Sequence, residues 1–389
     1  MKQIYLDYAA TTYIDSRVLQ KMRPYLTRAY GNASSLYSLG LEAKAAIENA
    51  RDDVAKILGA SPQEIIFTGS GTESANMAIY GIANAHKDKG NNIIVSKIEH
   101  KAVLESAKRL EKEGFKVSYL NVDSRGIVKL SEFKKALNKK TILVSIMYAN
   151  NEIGTIQPIK EISQIIKNFR KENILPAFHT DACQAAGAFP LKTKDLGVDL
   201  LTLNGSKIYG PKGSGCLYVN QNYKIEPLIV GGSQEMGQRA GTENPALIVG
   251  FSEALKLAEK LREKESRRLK ILRDYFIKNI LKTIPACRLN GHPQKRLPNN
   301  INLSFSGIEG ESLVLRLDQY GISASTGSAC TSHDLTPSHV LLALGLKEEL
   351  AHGSLRLTLG RKTTKKDLDY VLKILPKIVA DLRKMSAIY

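Results

Sequence analysis

The sequence predicts an α/β protein: a mostly parallel sheet covered by helices on both faces, followed by a smaller α+β C-terminal unit. Three observations carry this. Short apolar runs alternate with amphipathic stretches over the first 220 or so residues. Most of those runs are largely apolar, as strands buried on both faces are. After a long helical stretch beginning at Pro245 the alternation gives way to a different pattern.

Taken in order, residues 41–58 form an amphipathic helix, with Ile47, Ala50, Val54, Ile57 and Leu58 three or four apart and Gly59 placed to stop it. A strand over 65–68 follows and runs into Gly69-Ser70-Gly71-Thr72-Glu73-Ser74, the start of a helix through Ile79. Further strands are expected at 92–96, 116–120, 141–147, 177–180, 198–203 and 215–219, and helices at 101–113, 130–136 and 160–171. Beyond the long helix, strands at 300–306, near Ile322 and at 354–359 mix with helices over 311–319 and from Lys365. The smaller unit therefore begins near residue 260. In sheets of the first kind, ligands gather at the carboxyl ends of the strands.

Composition narrows the function. The 389 residues are 43% hydrophobic and 24% charged, ordinary for a globular enzyme of two domains. No apolar run approaches the roughly 18 residues needed to cross a bilayer. The start, Met1-Lys2-Gln3-Ile4-Tyr5-Leu6-Asp7, has no apolar leader core or cleavage site, which argues against secretion. The four cysteines, Cys183, Cys216, Cys287 and Cys330, are widely separated and form no C-x-x-C pair. That argues against zinc and disulfides, and fits a reducing cytoplasm. Much of the net charge of +18 lies in two basic helical stretches, 256–278 and 362–384, which read as solvated faces. An acidic partner is the alternative. Aromatic residues are 6% and tryptophan is absent, so sequence-specific nucleic-acid binding is disfavoured.

Several strand ends carry chemistry. Gly69-Ser70-Gly71-Thr72 offers free backbone N–H groups, a hydroxyl and a helix dipole to an anion, or simply a tight turn. Asp181 reads first as a turn cap, second as the counter-ion of a protonated pyridine. His100 reads as a structural histidine, or as a ring stacked on a planar cofactor. Lys207 stands in the small-residue run Asn204-Gly205-Ser206-Lys207-Ile208-Tyr209-Gly210, where a partly desolvated amine becomes usable. Cys330 lies among Ser, Thr, Gly and Ala, a setting for an accessible thiol; Cys216 reads as inert core and Cys183 as packing. An amine able to hold a carbonyl cofactor as a Schiff base, with a separate thiol nucleophile, suggests two-centre covalent chemistry.

These segments together resemble the cysteine desulfurases of the NifS/IscS type, class V aminotransferases within the fold-type I pyridoxal-phosphate enzymes. Seven motifs in family order carry the resemblance. They are Tyr5 to Thr12, Phe67 to Ser74, Glu99-His100-Lys101, Asn150 to Gly154, Lys207 to Gly213, Arg239 to Asn244 and Gly327-Ser328-Ala329-Cys330. The resemblance implies a large cofactor-binding domain over 16–259 and a small domain over 1–15 and 260–389 bearing the catalytic cysteine loop. It implies that Lys207 binds pyridoxal 5'-phosphate covalently, Asp181 pairs with the pyridinium and His100 stacks on the ring. Asn151 and Gln184 would contact the ring-oxygen side. Gly71, Thr72, Asn204 and Ser206 would hold the phosphate, with Thr242 reaching in from the other subunit of a homodimer. Asn32, Asn151 and Arg356 would bind the L-cysteine substrate, with Arg356 clamping its carboxylate. Cys330 would take the sulfur as a persulfide and pass it to an acceptor protein for Fe–S cluster assembly or tRNA thiolation. The alternative is a selenocysteine lyase or another class V enzyme.

The sequence departs from the family pattern at a few points. Asn204 and Ser206 replace Ser and His, Ala33 and Tyr37 replace Pro and His, and Cys183 replaces Thr or Ser. It also ends at Tyr389, short of the tail with which many members meet a scaffold partner.

Overall fold

The computed structural model describes residues 3–171, 173–326 and 336–385. Cys330 and the motif Gly327-Ser328-Ala329-Cys330 lie outside the described residues. The chain opens with β1 (Ile4–Tyr5), α1 (Ser16–Thr27) and α2 (Ser38–Leu58). The alternating region follows: β2 (Ile65–Thr68), α3 (Gly71–Ala85), β3 (Asn92–Ser96), α4 (Lys101–Lys112), β4 (Lys116–Leu120), α5 (Leu130–Ala136) and β5 (Thr141–Ser145). It continues through α6 (Ile159–Arg170), β6 (Ala177–Asp181), α7 (Thr193–Leu196), β7 (Leu200–Asn204) and β8 (Gly215–Val219). The remainder is α8 (Pro245–Thr283), β9 (Cys287–Leu289), β10 (Asn300–Phe305), α9 (Gly310–Gln319), β11 (Ile322–Ser323), α10 (His339–Ala343), α11 (Glu348–His352), β12 (Ser354–Thr358) and α12 (Lys365–Met385).

The main sheet has seven strands in the order β2-β8-β7-β6-β5-β3-β4. Every residue of β2, β3, β5, β6 and β8 is buried, because helices cover both faces. One core, with Phe67, Val144, Phe178 and Phe251, fills the face beneath α2 and the first half of α8. Another, with Met77, Ile79, Val103 and Leu143, fills the face beneath α3 and α4. β8 runs antiparallel to both neighbours. It follows β7 through a turn too short to hold a crossover helix, so it must reverse direction. That reversing turn carries Lys207.

Local signals behave as their chemistry dictates. Gly59 ends α2 with φ +65, a left-handed cap that a side chain would strain. Asn244 caps α8 by accepting from the Leu247 N–H at 3.1 Å, and Pro245 takes the first turn, where no donor is needed. α8 runs on unbroken for 39 residues. Its early buried residues, such as Phe251 and Leu255, join the sheet core, whereas Leu269, Phe276 and Ile280 join a third core. That third core is built on the antiparallel sheet β12-β10-β9 and also takes in Ile4 and Leu6 from the start of the chain.

Candidate active site

Several segments meet at the carboxyl ends of the parallel strands, where such sheets bind ligands. The β2–α3 turn comes first. Ser70 caps α3 by accepting from the Glu73 N–H at 3.1 Å, which leaves the first-turn N–H groups at an open helix end. A Cβ on Gly71 would lie 2.8 Å from Cys183 Sγ and 3.2 Å from the Asn204 Cβ. Only glycine lets the helix approach the ends of β6 and β7 this closely.

The Lys207 turn is fixed from several sides. Gly205 donates to Ser214 O at 3.0 Å, and a Cβ there would sit 2.2 Å from Ser214 Oγ. Asn204 Oδ1 accepts from both the N–H and the hydroxyl of Ser206, each at 3.0 Å. The two residues that depart from the family pattern therefore satisfy each other. Tyr209 adopts φ +65, held by Thr12 Oγ1, which accepts its N–H at 2.9 Å. Lys207 Nζ donates to Ala10 O at 2.5 Å, and Gln184 Nε2 donates to Ala9 O at 3.0 Å. Residues 9–12 thus cover the turn.

Asp181 ends β6, and its Oδ1 accepts from the Cys183 N–H at 2.9 Å, so it does cap the turn. His100 caps α4, its Nδ1 accepting from the Ala102 N–H at 3.1 Å, which assigns the ring proton to Nε2. Burial lowers the His100 pKa, Asp181 opposes that shift and Lys207 adds to it. The imidazole, the carboxylate and the amine therefore share one electrostatic neighbourhood. Arg356 is buried on β12, where it pairs with Asp7 at 2.8 Å and donates to Asn151 O at 3.2 Å. Its backbone bridges to Ser325, with Arg356 N donating to Ser325 O at 2.6 Å. After residue 335, Ser338 bonds the buried Glu152, and His339 Nε2 meets Glu99 O at 3.1 Å. Both described flanks of the Cys330 stretch are therefore tied to residues around the site.

Thr72 is exposed at the start of α3, and Asn32 and Thr242 are exposed elsewhere on the chain. Asn32 Oδ1 accepts from the Ser34 N–H at 2.9 Å. Among the described residues no hydrogen bond ties Asn32 or Thr242 to the Lys207 turn.

Sequence reasoning missed two buried groups. His179 lies two residues before Asp181 on the same strand face, with Ser145 Oγ at 2.8 Å and Thr202 Oγ1 at 2.9 Å from its two nitrogens. Burial pushes its pKa down to about 4, so it bridges three strands as a neutral ring. The signal was its place in the His179-Thr180-Asp181 strand end. Glu99, next to His100, is fully buried; its Oε1 accepts from Ser96 Oγ at 2.5 Å and Met147 N at 3.0 Å. Its Oε2 has no partner among the described residues. Burial raises its pKa to about 8, and the nearby Asp181 adds to the rise.

Glu99 is thus mostly a neutral acid at pH 7. Its folded pKa exceeds the usual 4.5, so its contribution to stability is full below 4.5 and is lost progressively as pH rises through about 8. Glu99→Gln keeps the acceptor and removes the ionisation. Between pH 6 and pH 9 we expect the wild type to lose roughly 2–3 kcal/mol relative to the variant. Denaturant melts at the two pH values check this; parallel pH profiles would contradict it.

The family model for class-V aminotransferases matches residues 4–371. A Clostridium botulinum protein named cysteine desulfurase IscS is 53% identical over 100% of this chain and 97% of its own length. A Dictyoglomus turgidum protein of the same name is 53% identical over 99% of this chain and 96% of its own. A solved NifS-like protein superposes with a TM-score of 0.91 at 38% identity, covering 98% of this chain and 100% of that one. The chain belongs to the class-V aminotransferase family. Within that family it falls in the NifS/IscS branch.

Proposed function

We infer that this chain is a cysteine desulfurase that converts L-cysteine to L-alanine, with the sulfur carried as a persulfide on Cys330. The observation that carries the reading is the shared electrostatic neighbourhood of Lys207, Asp181 and His100 at the carboxyl ends of β7, β6 and β3, beside the glycine-built cradle at Gly71. The residues fit pyridoxal 5'-phosphate. The α3 N-terminus, with Gly71 and Thr72, suits a phosphate, and Asn204 and Ser206 border it. Asp181 suits a pyridinium nitrogen, Lys207 a carbonyl carbon, and His100 a ring face, with Asn151 and Gln184 alongside.

When bound, that cofactor supplies an electron sink for the pair released at the substrate Cα. Lys207 would hold the cofactor and would serve as the base for the Cα proton. Asp181 would hold a proton on the cofactor's ring nitrogen. Arg356 holds the substrate carboxylate, with Asn32 and Asn151 as further substrate contacts. The Cys330 thiolate attacks the substrate sulfur: an S–S bond forms and the Cβ–S bond breaks. The electron pair of that bond stays with carbon, which gains a proton and leaves as the alanine methyl. The balance is cysteine plus enzyme thiol giving alanine plus enzyme persulfide. An acceptor protein serving Fe–S cluster assembly or tRNA thiolation then takes the sulfur.

The reading includes a homodimer in which Thr242 reaches the partner's cofactor site, and a cytoplasmic setting. The apolar residues Tyr30, Leu36, Tyr37 and Val230, exposed on one chain, support the first. The free thiols Cys183, Cys216 and Cys287 support the second. No described helix is long and apolar enough to cross a membrane. The division into 16–259 and 1–15 with 260–389 is part of the same proposal, as the change of core along α8 suggests.

The test is the absorption spectrum of the purified protein before and after L-cysteine. We expect a band near the visible edge that shifts on addition, with alanine appearing. Colourless protein that cannot be reconstituted with pyridoxal phosphate would overturn the reading.

A further inference from the structure

The stretch 228–242 is stapled at two points to the segment that builds the anion cradle. Glu73, in the first turn of α3, accepts from Arg239 Nε at 2.8 Å through Oε1 and from the Gly69 N–H at 2.9 Å through Oε2. One carboxylate thus holds both the cradle turn and the stretch. At the other staple, Glu235 meets Arg51 through two contacts, at 2.8 and 3.0 Å, and accepts from the Phe67 N–H at 2.8 Å. Both side chains of that pair are buried.

The second staple is held against strain. Glu235 and Met236 take φ +46 and +57, which non-glycine residues adopt only when their surroundings impose it. The stretch is thus tied to the β2–α3 segment by both staples. Between and beside the staples it exposes Leu228, Ile229, Val230 and Met236, an apolar edge suited to a second copy of this chain. Electrostatics ties the ends together further. A phosphate at the α3 N-terminus would be repelled by the Glu73 carboxylate of the first turn unless Arg239 neutralised that charge.

We propose that the Arg239–Glu73 ion pair is a positioning strut that couples phosphate-group binding at the α3 N-terminus to contact between two copies through residues 228–242. The proposal rests on the homodimeric, pyridoxal-phosphate reading above. Coupling of this kind is reciprocal: the cofactor tightens the dimer by the factor by which the dimer tightens the cofactor.

The test measures cofactor affinity by spectroscopic titration with pyridoxal phosphate, and dimer dissociation with and without it. In the wild type we expect a coupling factor of at least about fivefold. In Arg239→Met that factor falls towards one, and cofactor affinity drops by about tenfold as the bare Glu73 charge faces the phosphate. The pair Glu73→Gln with Arg239→Met recovers affinity but not coupling, an outcome that loss of structure alone would not give. If Arg239→Met is insoluble, Glu73→Gln alone reads the same loss of coupling. Wild-type coupling retained in either single variant overturns the strut while leaving the enzyme reading intact. A wild type that binds no cofactor, or binds it as a monomer, overturns that reading and the strut with it.

Discussion

Lys207→Ala is expected to give a folded, colourless protein that forms no measurable alanine from L-cysteine. The fold should tolerate the change because the turn is held by its own backbone and by Asn204, not by the amine. Within the chain the amine donates to Ala10 O. Such a bond to a neutral acceptor is worth only about 1–3 kcal/mol. Chemistry is expected to lose far more, since in the proposed function the same amine is the cofactor's covalent partner and the base for the Cα proton. General-base catalysis alone accounts for about a hundred- to ten-thousandfold. Absorbance near the visible edge and an alanine assay check this together. A yellow variant that turns over at a tenth of the wild-type rate would contradict it.

Cys330→Ser is expected to keep the cofactor spectrum and its response to L-cysteine, yet to build no persulfide and release no sulfide. No other described thiol can stand in. Burial holds Cys183 well above the usual thiol range, with the neighbouring Asp181 adding to the shift. Burial likewise raises Cys216, and it lifts Cys287 to about 12. Each remains a protonated thiol at pH 7, and the thiol is a poor nucleophile beside the thiolate. Serine's hydroxyl offers no substitute for attack on sulfur. Sulfide release at the wild-type rate from the serine variant would remove Cys330 from its assigned role.

Most strands of the sheet were legible because burial on both faces writes them as apolar runs; β4, at the sheet edge and buried only at Leu120, is the exception. β3, β4 and β8 coincide with their expected spans. The strand expected to reach Met147 stops at Ser145, where the chain leaves the ladder and Met147 turns its N–H to Glu99. α1 escaped notice because only Val18 and Met22 are buried along it and Pro24 interrupts its pattern. β8 carried no sign of its reversed direction, which is set by the length of the turn before it. Lys207, Asp181 and His100 could be singled out because each follows an apolar strand. Glu99 and His179 could not, since their character comes from burial among residues distant in sequence. The Arg239–Glu73 and Arg51–Glu235 pairs span 166 and 184 residues, and nothing local announces either.

In the proposed function Lys207 and Cys330 act on one bound coenzyme. The most direct measurement is the mass of the Cys330-bearing peptide after L-cysteine is added to the wild type and to Lys207→Ala, each supplied with pyridoxal phosphate. One added sulfur atom is expected on that peptide in the wild type and none in the variant. Sulfur on the peptide in Lys207→Ala, or on a different cysteine in the wild type, would contradict that function.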